Sequence, residues 1–179
     1  MKKILTGLKP TGELTLGNYL GAIKQMVEMQ DDYESYLFVA DLHALTIPQD
    51  PTELNNRIRR FIAMYIACGV DPNKNTIYIQ SENEYIPCIS WLLECTTYHG
   101  EATRMIQFKE KSKQNKNFTI GLMTYPILMA ADILYLDADY VPVGIDQKQH
   151  VELARDIAER FNNKYGQTFT LPEPLVSVG

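Results

Sequence analysis

Apolar residues in this chain follow two spacings, and the alternation between them sets the expected fold. Short runs at residues 3–6, 35–40, 76–80 and 139–143 are the length of single strands and are bounded by polar or turn-forming residues. Between and after them, residues 17–29, 87–98, 126–136 and 147–163 place apolar side chains at helical intervals. Strands alternating with helices in this way build βαβ units and a parallel sheet. Pro142 has no N–H for a ladder, so the fourth strand is expected to break into a loop near Gly144.

The best-marked helix opens at Asp50-Pro51-Thr52-Glu53, where an acidic cap, a first-turn proline and a glutamate at the third position agree. Leu54, Ile58, Phe61, Ile62 and Tyr65 form its apolar side, and Gly69 closes it as a left-handed cap. Roughly sixty residues separate the third and fourth strands, more than one crossover helix uses, so a helical insertion at about 81–125 is expected there. Residues 176–179 resemble the start of another strand with no helix behind it. The chain therefore reads as one domain that is part of something longer.

With 22 acidic and 17 basic residues among 179, the chain is mildly acidic and carries no basic run suited to a non-specific nucleic-acid arm. Cys68, Cys88 and Cys95 form no C-x-x-C pair and read as reduced, buried residues of a cytoplasmic protein. The apolar run after Met1-Lys2-Lys3 is only Ile4-Leu5, too short for a signal peptide, and no stretch is long enough to span a bilayer. A soluble protein with no membrane partner is expected.

Candidate chemistry begins after the first strand. Gly7, Gly12, Gly17 and Gly21 surround Pro10-Thr11 and a helix start flanked by Thr15 and Asn18. Glycine permits close backbone approach, and unpaired N–H groups at a helix start attract phosphate. The spacing is neither G-x-G-x-x-G nor a Walker loop. An ordinary βα turn with Thr15 as a helix cap explains the same residues.

His43 follows the second strand at its carboxyl end, the ligand-binding side of an open parallel sheet, although a hydrogen-bonded core histidine fits equally. In the 126–136 helix, Asp132 falls on the apolar stripe of Met129, Ile133 and Leu136. A carboxylate there needs a donor, from the backbone, an arginine or the N–H of an apolar ligand. Asp146 and Gln147 occupy the first turn after the fourth strand, as caps or as contacts to a ribose and an amino group. Asp137 and Asp139 suit a helix end and a solvated turn better than a metal site. Lys111, in the charged stretch 107–113, is either a solvated helix residue or within reach of a polyphosphate.

Taken in order, Gly7-Leu8-Lys9-Pro10-Thr11-Gly12, Thr15-Leu16-Gly17-Asn18-Tyr19-Leu20-Gly21-Ala22, Asp41-Leu42-His43-Ala44, Gln107-Phe108-Lys109-Glu110-Lys111-Ser112, Tyr125-Pro126-Ile127-Leu128-Met129-Ala130-Ala131-Asp132-Ile133-Leu134 and Val141-Pro142-Val143-Gly144-Ile145-Asp146-Gln147-Lys148-Gln149-His150 resemble bacterial tryptophanyl-tRNA synthetases of class I. The resemblance covers the whole chain. It implies an α/β, Rossmann-like parallel sheet with helices on both faces. Thr15, Gly17 and Asn18 would form the first ATP signature, with threonine and asparagine in place of its usual histidines. Asp132 would accept the indole N–H, with His43, Met129, Val141 and Val143 around the ring and Leu5 and Gly7 beneath it. Tyr125 and Gln147 would hold the amino group, Gly144 and Asp146 the ribose, and Lys9 and Lys111 the phosphates. The implied co-substrate is ATP with Mg²⁺, without a protein-ligated metal. The implied partners are L-tryptophan, tRNA(Trp) and a second copy of the chain, docked through the helical insertion.

Two departures stand out. Lys9 replaces a common glutamine, and Leu5 stands where an aromatic is common beneath the indole. Members of the family continue into a Lys-Met-Ser-Lys-Ser loop and an anticodon-binding domain, which residues 1–179 do not contain. Weak tryptophan binding and very slow activation are therefore expected of this stretch alone. A tyrosyl enzyme, a nucleotidyltransferase and a non-catalytic tryptophan-binding or dimerisation module are the alternatives.

Overall fold

A computed structural model describes residues 1–13, 15–105 and 118–176. Five parallel strands form one sheet: β1 (Lys3–Leu8), β2 (Glu34–Val39), β3 (Asn75–Ile79), β4 (Tyr140–Val143) and β5 (Glu173–Val176). Their order is β3-β2-β1-β4-β5, so the chain runs outward from β1 in one direction and then returns to its other side. That reversal makes the gap between the carboxyl ends of β1 and β4 a topological switch point, where open parallel sheets take their ligands.

The gap has a local cause. β1 pairs with β2 along six residues, from Lys3 opposite Glu34 to Leu8 opposite Val39. Against β4 it pairs only at Ile4 opposite Tyr140. Asp139 ties the amino-terminal end of this seam, accepting from Lys3 N at 2.8 Å while its own N–H donates to Lys3 O at 3.0 Å. Two residues beyond Tyr140, Pro142 brings no N–H to a ladder. The strands meet at one end and part at the other.

Helix α1 is continuous through an α turn (Leu16–Asn18), a π-helical stretch (Tyr19–Ile23) and a final α segment (Lys24–Met29). It is followed by α2 (Asp41–Ala44), α3 (Pro51–Ala67), α4 (Tyr85–Glu94), α5 (His99–Arg104), α6 (Ile120–Tyr135) and α7 (Lys148–Tyr165). The strands' alternation sorts these helices onto two faces. Ile4, Leu37 and Val39 pack with Ile23, Met26, Ile58, Phe61 and Tyr65 from α1 and α3. Leu5, Phe38 and Val141 point the other way, toward Ile86, Leu93, Ile127, Ala131, Val151 and Ile157 from α4, α6 and α7.

Several boundaries differ from the sequence reading. β1 runs two residues further and contains Gly7, so that glycine belongs to the strand and not to the turn. α6 starts at Ile120 under the Thr119 cap, whose hydroxyl accepts from Leu122 N at 3.3 Å, and Pro126 lies inside it. Proline had suggested a first turn, but the apolar spacing continues upstream through Leu122 and carries the helix with it. β5 occupies Glu173–Val176, earlier than the final residues suggested. An edge strand tolerates Pro174, which loses no obligatory ladder bond.

The cysteines are free, but Cys88 and Cys95 are exposed and Cys68 is half-buried, so the expectation of buried thiols fails. For Cys88 and Cys95 the cause is α4 and its C-cap, since Tyr85, Trp91 and Leu92 of the same helix are also exposed. An apolar helix has two faces here, and only one packs on the core. Among the described residues no helix is long and apolar enough to cross a membrane.

Candidate active site

A cavity of about 330 Å³ opens between the parted ends of β1 and β4. Leu5, Gly7 and Lys9 line it from β1 and the residue beyond, and Val141, Val143 and Gly144 line it from β4 and its exit. His43 contributes from α2, Tyr125, Met129 and Asp132 from α6, and Gln147 from the 3-10 turn Ile145–Gln147. Residues spread over most of the sequence thus meet because β1 and β4 end, α2 begins and α6 crosses at one edge of the sheet.

Asp132 is the centre of charge. Its side chain is fully buried, on the helix face that packs against the sheet. Burial pushes its carboxyl above the ordinary range, and hydrogen bonds with His43 and Gln80 oppose the shift. Nε2 of His43 lies 2.8 Å from Oδ2, and Gln80 Nε2 donates to Oδ1 at 2.9 Å and Oδ2 at 3.0 Å. The donor that the apolar stripe demanded is therefore a pair of side chains, neither backbone nor arginine. Two carboxylate oxygens offer about four lone-pair sites, so these bonds leave room for one more donor from the cavity.

Gln80 was not singled out from the sequence. Its Oε1 accepts from Leu42 N at 3.1 Å and His43 N at 3.3 Å, so one buried amide fixes both α2 and Asp132. The only advance signal was its place at the carboxyl end of the third strand. Asp41 closes the same corner by accepting from Ser81 N at 3.0 Å.

Tyr125 meets the His43 ring edge-on, with centroids 6.1 Å apart, and its hydroxyl lies 3.2 Å from His150 Nε2. Burial pushes this phenol up to about 12, which keeps it protonated as a donor. Lys9 Nζ donates to Thr46 Oγ1 at 3.3 Å, and that hydroxyl donates to His43 O at 2.9 Å. The cation is thus tethered at the rim near the histidine.

The remaining candidates lie elsewhere. Thr15 and Asn18 form a reciprocal cap on α1: Asn18 N donates to Thr15 Oγ1 at 3.3 Å, and Thr15 N donates to Asn18 Oδ1 at 2.9 Å. These two residues and Gly17 are exposed or half-buried and do not line the cavity. Gly12 takes a positive φ of 96°, so the turn before them does need a glycine. Asp146 has its backbone in the 3-10 turn. Lys111 lies outside the described residues.

An open parallel sheet with helices on both faces and a polar-tipped apolar cavity at its switch point defines a Rossmann-like α/β domain, and sequence comparison narrows it further. Residues 1–177 match the sequence model of the tRNA synthetases class I (W and Y), and the chain belongs to that family. It is 53% identical over 176 residues to the tryptophan--tRNA ligase of Caldanaerobacter subterraneus, covering 98% of this chain and 54% of that one. To the tryptophan--tRNA ligase of Bacillus subtilis it is 55% identical over 170 residues, covering 95% and 52%. The crystal structure of Campylobacter jejuni tryptophanyl-tRNA synthetase with ADP and tryptophan superposes with a TM-score of 0.94 at 43% identity, covering 98% of this chain and 55% of that one. The chain spans about half the length of the curated relatives it matches.

Proposed function

We propose that the cavity is the amino-acid slot of a tryptophan-activating enzyme, and that residues 1–179 are the catalytic α/β part with helices of about 81–125 inserted in it. The observation that carries this reading is Asp132: a fully buried carboxyl with spare acceptor capacity at the wall of an apolar cavity. An indole offers what that wall lacks, a flat apolar body with a single N–H. Phenylalanine has no such donor and would leave the acid's free lone pair buried and unmatched, which disfavours it.

In this reading Asp132 accepts the indole N–H while His43, Met129, Val141, Val143, Leu5 and Gly7 surround the ring. Tyr125 and Gln147 hold the amino group, and Gly144 and Asp146 the ribose of ATP. Thr15, Gly17, Asn18, Lys9 and Lys111 attend the phosphates, with ATP supplied as its Mg²⁺ complex. One tryptophan carboxylate oxygen attacks the α-phosphorus in line as the bond to the bridging oxygen breaks, giving tryptophanyl-adenylate and pyrophosphate. The acyl group then passes to tRNA(Trp). No side-chain nucleophile is needed, so catalysis rests on positioning and on cations and donors around the phosphates.

The apolar outer face of α4, with Tyr85, Trp91 and Leu92 exposed, supports a second copy of the chain as the partner that covers it. The substrate reading is tested by calorimetric titration with L-tryptophan and L-tyrosine, each with and without ATP. Tryptophan binds and tyrosine binds at least roughly tenfold more weakly, because the slot is built for the larger N–H ring. Tighter tyrosine binding would reverse the assignment.

A further inference from the structure

We infer that Phe38 supplies the aromatic face of the slot, held over β1 because position 7 is glycine; this rests on the reading of the cavity as an indole site. Gly7 and Phe38 are register partners on β1 and β2, and Tyr78 is the partner of Phe38 on β3. All three positions face the same side of the sheet. A Cβ added at Gly7 would lie 2.9 Å from Cε2 of Phe38 and closer still to Cζ and Cε1. The end of the ring therefore occupies the space a side chain at position 7 would take. The backbone demands nothing of the kind, since Gly7 lies inside a regular strand. Its lack of a side chain is what lets the ring cross the strand.

The ring's two faces have different environments. One stacks on Tyr78, with centroids 5.4 Å apart and an interplanar angle of 18°. Phe38 lines the cavity and Tyr78 does not, so the face turned away from Tyr78 is the one offered to a ligand. Leu5, two residues before Gly7 on the same side of β1, adds an aliphatic edge below. A planar ring entering beside Asp132 becomes the third plate of a stack whose first two are already in place. Tyr78 and Gly7 are positioning residues, because they fix where Phe38 stands. Phe38 is the binding residue. The selectivity that follows is for flat aromatic ligands over aliphatic ones, complementary to the N–H test made by Asp132.

The test uses L-tryptophan as the probe, with calorimetric affinity for tryptophan and for ATP and the melting temperature measured on the same samples. Phe38→Leu keeps the apolar volume but removes the aromatic face, and it lowers tryptophan affinity by roughly two- to tenfold, the worth of one aromatic pair. ATP affinity stays within about twofold of the unsubstituted chain, and Phe38→Tyr restores tryptophan binding. Gly7→Ala turns the ring out of place and loses affinity on its own, and in the Phe38→Leu background the combined loss is smaller than the sum of the two single losses. Tryptophan binding by Phe38→Leu equal to that of the unsubstituted chain would overturn the role of Phe38 while leaving the slot intact. Equal losses for tryptophan and ATP together with a lower melting temperature would also overturn it, reducing the ring to a core residue. An unsubstituted chain that binds no tryptophan overturns the substrate reading itself, and this inference with it.

Discussion

The cavity beside Asp132 and the turn around Thr15 both stand on the same edge of the sheet, yet they are built by opposite means. Around Asp132, side chains from α2, β3's carboxyl end and α6 are locked together by buried hydrogen bonds before any ligand arrives. Around Thr15, one exposed and one half-buried side chain satisfy each other across a single turn. The contrast follows from what each would recognise. An indole is told from other rings by one donor and a shape, which requires fixed partners. A polyphosphate carries enough charge to be held by backbone N–H groups at a helix start, which requires little preformed structure.

Replacing Asp132 by Ala breaks the rigid region most severely. It leaves Gln80 and His43 without their buried acceptor and opens a void, so unfolding free energy falls by about 2–3 kcal/mol, read from urea or guanidinium denaturation. Tryptophan affinity falls by at least roughly tenfold in calorimetry. Retained tryptophan binding would show that the acid is structural only.

The exposed region responds more gently. Thr15→Ala removes one reciprocal cap and lowers stability by about 1 kcal/mol. Nucleotide affinity weakens while tryptophan affinity measured without ATP holds within about twofold. Equal losses for both ligands would mean that the two regions are one cooperative unit.

The smallest effect concerns the opposite end of the β1/β4 seam, which serves as a control for both. At Asp139, partial burial opposes ionisation, but bonds from Lys2 Nζ and Lys3 N and the nearby lysine charge outweigh it, holding the carboxyl below its ordinary 3.8. A depressed carboxyl stabilises the fold above its unfolded value and loses that contribution as pH falls through the folded value. Melting temperature therefore drops as pH is lowered from 4 toward 2, by somewhat less in Asp139→Asn than in the unsubstituted chain. Neither ligand's affinity changes at neutral pH.

What the sequence disclosed followed chain periodicity. The strands, the Asp50 cap and the Asp132 stripe are local patterns, and each marked its element, although the helix of Asp132 begins six residues before the expected Pro126. What stayed hidden depends on neighbours across the sheet. Gln80 has no spacing that marks it, because its partners at Leu42, His43 and Asp132 come together only when β2, β3 and α6 share an edge. Gly7 read as part of a turn because glycine usually signals one, whereas its reason lies in a ring on the adjacent strand. Pro126 read as a beginning for the same kind of reason. Cys88 and Cys95 read as buried because an apolar helix normally has its apolar face covered by its own chain.

That uncovered helix carries Trp91, the chain's single tryptophan, with 66% of its surface open to solvent. Trp91 does not line the slot, so its emission reports first on whatever covers this helix. Burial against a neighbour moves that emission toward the blue. A tryptophan bound in the slot would be a second, separate emitter.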